Sequence, residues 1–173
     1  AVKIESLLLR EYLRLKHSVP RPEEGSQTTG GYADIFMTGV FKDVVHADVE
    51  SLYPSIMLSR SIQPKSDVLG VFGRLLRELV RMRLAAKHRM KECTDRAERA
   101  RLDALQMAFK ILINSFYGYL GYARGLFNDY RKADEVTKAG QELLREIVRH
   151  IELYNGQVVE VDTDGVYFLP PDN

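Results

Sequence analysis

Val161-Asp162-Thr163-Asp164-Gly165-Val166-Tyr167-Phe168, written VDTDGVYF, places two carboxylates one residue apart between runs of strand-favouring residues. Asp-Gly between β-prone segments is a strong short-range hairpin signal. Gln157 to Val161 and Val166 to Leu169 are therefore expected to be strands flanking an acidic turn. Whether the aspartates only turn the chain depends on what other segments bring to them.

Upstream, the pattern is helical. From about Ala133 to Tyr154, the residues Val136, Gly140, Leu143, Leu144, Ile147, Val148 and Ile151 form an apolar stripe that stops at Asn155-Gly156. Phe72, Leu75, Leu76, Leu79 and Val80 begin a long helix running to about Lys91. A polar break at Glu92 to Asp95 separates it from a second periodic segment carrying Leu105, Phe109, Leu112 and Phe116. Two helices joined by so short a turn are expected to form an antiparallel hairpin. Nearer the start, Asp43 to Val49 reads as a buried strand ending in the turn Glu50-Ser51. Ile4 to Lys16 reads as a short helix, followed by a connector containing Pro and Gly through Gly31.

Composition bounds the class. A chain of 173 residues, 45% hydrophobic and 28% charged, can bury a core and is neither disordered nor fibrous. It has no run of about 18 apolar residues, so a soluble intracellular protein, cytoplasmic or nucleoid, is expected. The single Cys93 forms no intrachain disulfide and supplies no metal cluster. The net charge of +1 gives no global argument for a polyanionic partner. Its distribution does better: Val71 to Lys110 holds eleven Lys or Arg against five Asp or Glu, a basic hairpin.

The polar side of that hairpin is ordered. Lys110, Asn114 and Tyr117 are spaced i, i+4, i+7, away from the stripe of Phe109, Leu112 and Phe116. Arg83 and Lys87 are likewise i, i+4 on the first helix. A fixed guanidinium fork and mobile ammonium groups converging on one volume suit a triphosphate. Asp48 ends the first strand, and the chain then enters a helix start whose amides could face an anion. If that strand pairs with the hairpin, Asp48, Asp162 and Asp164 come together. A bound divalent cation would relieve their repulsion, and Mg²⁺ suits oxygen ligands completed by substrate phosphates. The aspartates can then be both turn residues and metal ligands.

These residues resemble family B DNA polymerases. Asp48-Val-Glu-Ser-Leu-Tyr-Pro-Ser-Ile56 is similar to the first palm motif of that family, Lys110 through Gly118 to the fingers motif, and Asp162-Thr-Asp164 to the second palm motif. Gly30-Gly31-Tyr32 is similar to the glycine pair preceding the palm. The resemblance implies an α/β (α+β) fold: a palm whose β-sheet carries the acidic site, and a two-helix fingers lobe. It divides the chain into a helix and connector at 1–29, first palm part at 30–70, fingers at 71–118 and second palm part at 119–173. Exonuclease and thumb regions are expected to belong to a longer parent chain.

The resemblance further implies DNA-templated addition of dNTPs to a primer 3′ end. Two Mg²⁺ ions would be held by Asp48 and Asp164, with the Val49 carbonyl assisting and Asp162 as third carboxylate. Arg83, Lys87 and Lys110 would bind the triphosphate, Asn114 would support the nucleotide pocket, and Ser51 and Leu52 would contact the phosphates. Tyr117 would abut the nascent base pair, and Tyr53 would exclude a 2′-hydroxyl. Primer–template DNA and dNTPs are the implied partners. An alternative is a truncated piece that binds Mg²⁺ and dNTP without extending primers alone. Three features depart from the family pattern. Glu160 and Thr28 stand where Tyr is frequent, and the spacing from Asp48 to Asp164 is short, the loss falling between Ile62 and Gly73.

Overall fold

The computed structural model describes residues 1–171, and Asp172 and Asn173, the end of the expected second palm part, lie outside them. Within this range the order is α1 (Val2–Arg14), β1 (Ala33–Ile35), β2 (Val45–Asp48), α2 (Leu52–Ser59), α3 (Val71–Glu92), α4 (Arg96–Leu120), α5 (Tyr130–Leu153), β3 (Gln157–Asp162) and β4 (Gly165–Leu169). The strands form one sheet in the order β1-β3-β4-β2, every neighbouring pair antiparallel. This is the mixed α/β class expected.

The sheet has one buried face. Val158, Val161 and Val166 are buried against α5, whose Val136, Leu144 and Val148 are buried in turn. Val158 and Val161 are three apart, an odd spacing that would place them on opposite faces of a regular strand. A register shift between Val158 and Glu160 supplies the extra residue that returns both to the core. Phe36 and Met37 amides both donate to the Val159 carbonyl there, at 2.9 and 3.2 Å.

Strand β2 is a correction. It was expected to be buried, yet all four residues of Val45–Asp48 are exposed. It forms an edge of the sheet, so one flank has no ladder partner, and its sequence VHAD has too few apolar residues to cover a face. His46 instead stacks on Tyr167 of β4, with ring centroids 4.2 Å apart and planes 9° apart.

Helices α3 and α4 form the expected antiparallel hairpin. Asp95 caps α4 by accepting the Glu98 amide at 2.9 Å. Its inner stripe is Leu102, Gln106, Ile113, Phe116 and Leu120, with Phe116 edge-on to Phe72 of α3 at 4.9 Å. Leu105, expected on that stripe, is 38% exposed because the helix is rotated to bury Ile113 and Leu102 instead. Leu143 of α5 is likewise partly exposed. Helix α1 docks through Ile4, Leu8 and Tyr12, and the Tyr12 hydroxyl donates to buried Asp67 at 2.7 Å.

Candidate nucleotide and metal site

Strand pairing brings the carboxylates together. Asp48 lies opposite Gly165 in the β2–β4 ladder, and Asp162 lies opposite the same Gly165 in the β3–β4 ladder. Between them the chain turns at Thr163, which has φ 55°, and the Asp164 amide donates to the Asp162 carbonyl at 2.6 Å. The Val49 amide donates to the Asp164 carbonyl at 2.8 Å, tying the exit of β2 to the acidic turn. The Thr163 amide donates to the Tyr32 carbonyl, so the segment after Gly30-Gly31 supports the turn from its other side.

Asp-Gly was expected to be the turn itself. Instead the two-residue loop is Thr163-Asp164, and Gly165 is already the first residue of β4. What glycine supplies at 165 is space: a Cβ there would stand 2.6 Å from His46 Nε2. The left-handed backbone falls on Thr163, and another non-glycine residue in that region, Ser51 with φ 56° and ψ 46°, stands at the N-terminal end of α2 three residues after Asp48. Such conformations are disfavoured, by about 1–3 kcal/mol, and are held in place by surrounding structure.

Asp48 and Asp164 line one cavity of about 240 Å³, floored by Val49, Ser51, Leu52 and Tyr53 and walled by Arg83, Lys110 and Asn114 of the helical hairpin. The structure thus assembles residues from a strand end, the acidic turn, a short helix and both hairpin helices. Lys87 lies one turn beyond Arg83, and its Nζ donates to Glu50 Oε1 at 3.1 Å. Tyr117 packs on Tyr53, ring centroids 4.3 Å apart. Asp162 does not line the cavity, and its Oδ1 accepts the Thr163 hydroxyl at 3.0 Å.

Electrostatics mark the centre of this site. Partial burial pushes the Asp164 carboxyl up from its ordinary range, and the charges of Asp48 and Asp162 push it further. A cation between them would remove that penalty. No group of three His, Cys, Asp or Glu side chains closes on one point among the described residues. Two carboxylates with substrate phosphates are nevertheless the set Mg²⁺ commonly uses, so the donors fit that ion. Burial also raises the Tyr53 phenol to about 12, with Tyr117 and Asp164 contributing.

Several contributors come from elements that sequence spacing does not connect. The Tyr117 hydroxyl accepts from Gln27 Nε2 at 2.7 Å and pairs with the Thr137 hydroxyl at 2.9 Å. Gly140 of α5 passes so close to Tyr53 that a Cβ would stand 3.0 Å from its Cε1. Glu50, in the turn after β2, contacts both Arg83 and Lys87, which its place in the sequence does not reveal.

The family model for DNA polymerase family B matches residues 59–165, spanning the helical hairpin and the acidic turn. This chain belongs to DNA polymerase family B. The Asp48 strand precedes the matched span, and its pairing with β4 brings it to the same site. The family B chain is 32% identical to the DNA polymerase of Thermococcus sp. (strain 9oN-7) over 197 aligned positions, covering 97% of this chain and 25% of that protein. It is 26% identical to the DNA polymerase delta catalytic subunit of Arabidopsis thaliana, covering 96% of this chain and 19% of that one. Among solved structures, the family B DNA polymerase of Pyrobaculum calidifontis superposes with a TM-score of 0.75 at 25% identity, over 96% of this chain and 26% of that chain. The chain therefore spans about a quarter of the length of its archaeal relatives. The 197 aligned positions exceed its 173 residues, so the Thermococcus enzyme carries insertions relative to it.

Proposed function

We propose that the chain is the palm and fingers core of a DNA-templated DNA polymerase, adding dNTPs to a primer 3′ end with release of pyrophosphate. The observation that carries this reading is the one cavity in which Asp48, at the end of β2, and Asp164, in the adjoining turn, face Arg83, Lys110 and Asn114 of the hairpin. The sheet with α2 and α5 would be the palm, and α3 with α4 the fingers.

Each residue then has a task. Asp48 and Asp164, helped by the Val49 carbonyl, would hold the divalent ions, and Asp162 would add negative charge at the edge. Two Mg²⁺ ions, when bound, supply Lewis-acid stabilisation of the attacking and leaving oxygens in an in-line displacement at the α-phosphate. Arg83, Lys87 and Lys110 offset the charge of the triphosphate and of departing pyrophosphate. Ser51 and Leu52, at the start of α2, contact phosphate, and Asn114 orders the pocket wall. The Tyr53 ring, pressed between Gly140 and Tyr117, fills the space a 2′-hydroxyl would need. Template sequence is read by base pairing, so contacts to DNA are mainly to its backbone and weaken with salt. Such a protein acts inside the cell, where its template is.

Primer extension on a short DNA duplex with Mg²⁺ and four dNTPs, comparing the chain with Asp164→Ala, tests the reading. Extension by the parent chain and its loss in the variant are expected. Extension that survives Asp164→Ala would remove Asp164 from the site. The quarter-length span supports a second reading, in which the chain binds Mg²⁺ and dNTP but needs the thumb and exonuclease regions of a longer polymerase to extend. Mg²⁺-dependent dNTP binding, weakened by Arg83→Ala, without extension would select it.

A further inference from the structure

A carboxylate occupies the phosphate-binding donors. Glu50 follows Asp48-Val49, and its Oε1 alone accepts from Arg83 Nη2 at 3.2 Å and from Lys87 Nζ at 3.1 Å. Arg83 is the more committed partner, because its side chain is only 11% exposed and its Nη1 also donates to Ser51 Oγ at 3.2 Å. Its Nε is buried without any hydrogen-bond partner, so the guanidinium has donor capacity left over. Lys87 makes its ion pair with Glu50. The Glu50 carboxyl lies below its ordinary range, chiefly through the Lys87 hydrogen bond and charge, with Arg83 and Lys110 adding to it. All three cations assigned to the triphosphate thus act on this one side chain.

Glu50 is 68% exposed and joined to the chain at a turn, so little besides these cations holds it. It also spans from the palm turn to helix α3, linking the two lobes beside the cavity that it lines. A triphosphate reaching Arg83 and Lys87 needs the same N–H donors and brings charge of the same sign. The two anions compete for them and repel one another there.

Resting on the nucleotide-binding reading above, we propose that Glu50 is an internal competitor of the triphosphate: it occupies Arg83 and Lys87, holds the hairpin against the palm, and must be displaced when nucleotide enters. It thereby weakens the affinity of the site for nucleotide and for pyrophosphate, and eases product release. The side chain acts on the cations and takes no part in the chemical step.

The test is calorimetric titration of the full chain with Mg²⁺-dATP and, separately, with inorganic tripolyphosphate. The proteins compared are the parent, Glu50→Gln, Arg83→Ala and the double variant. Gln keeps the shape and removes the charge of an exposed side chain, so folding is preserved. Glu50→Gln is expected to bind both ligands about fivefold tighter, the scale of two partly exposed ion pairs released together. The gain should shrink in the Arg83→Ala background, because half of the competition has gone. An equal gain in that background would point to general charge and overturn the pairing. Unchanged or weaker binding by Glu50→Gln, with the parent still binding, would overturn the competitor role and leave the nucleotide site standing. Absence of binding in all four proteins would overturn the nucleotide reading, and this inference with it.

Discussion

Thr163 and Ser51 show how single residues set the site. Both are non-glycine residues with φ near 55°; Thr163 stands between Asp162 and Asp164, and Ser51 lines the same cavity as Asp48. The turn at Thr163 is held by the Tyr32 carbonyl, by the Val49 link to Asp164 and by the Asp162 side chain, so local preference is overruled by three contacts. Asp164 carries an electrostatic cost of the same origin. Its pKa is raised in the folded state, so protonation favours folding: its contribution is best below the ordinary carboxylate range and is lost as pH rises through the folded value. Asp164→Asn is therefore expected to raise the melting temperature at about pH 7, with the difference shrinking as pH falls and gone about two units below the ordinary Asp value of about 3.9. Melting curves across that range decide it. Mg²⁺ with nucleotide should raise the parent melting temperature and leave that of Asp164→Asn unchanged.

At the scale of elements, the hairpin α3–α4 is positioned by a rotation that hydrophobic spacing described only approximately. Phe116 is fully buried against Phe72, whereas Leu105, one and a half heptads earlier, is partly exposed. Both fit an apolar periodicity, and only packing against α1, α2 and α3 distinguishes them. Phe116→Ala is expected to cost about 3–5 kcal/mol, the usual scale for emptying a buried aromatic site. Leu105→Ala should cost under about 1 kcal/mol, as for a surface position. Urea unfolding of the two variants compares them directly, and equal costs would contradict the rotation. The polar face Lys110, Asn114 and Tyr117 was legible in spacing because its members share one helix. The partners of Tyr117 were not, since Gln27 and Thr137 belong to a connector and to α5.

Across the whole molecule, the connector between α1 and β1 is held to α5 and to the turn before it by polar contacts. Thr28 and Thr29 amides donate to Asp134 Oδ1 at 3.0 and 2.8 Å, Gln141 Nε2 reaches the Gly30 carbonyl at 2.8 Å, and Glu23 and Asn128 bond reciprocally. Burial would raise the Asp134 carboxyl, but the Thr28 and Thr29 donors outweigh it and hold the group below its ordinary range. Asp134→Ala is expected to speed proteolytic cleavage within residues 21–30 severalfold while leaving the hairpin resistant, read by timed digestion. No helix among the described residues is long and apolar enough to cross a membrane. The acidic hairpin, the two-helix lobe and the polar residues that share a helix face were legible along the chain because periodicity and turn chemistry are local, and the α/β class followed from the resemblance of the motifs to a family. Only the tertiary structure decided that Asp48 pairs across from Gly165, that Gly165 makes room for His46, that β2 is an exposed edge and that Glu50 spans Arg83 and Lys87. Each of these depends on residues far apart in the chain, whose meeting is settled by strand order and helix rotation rather than by any spacing along the sequence.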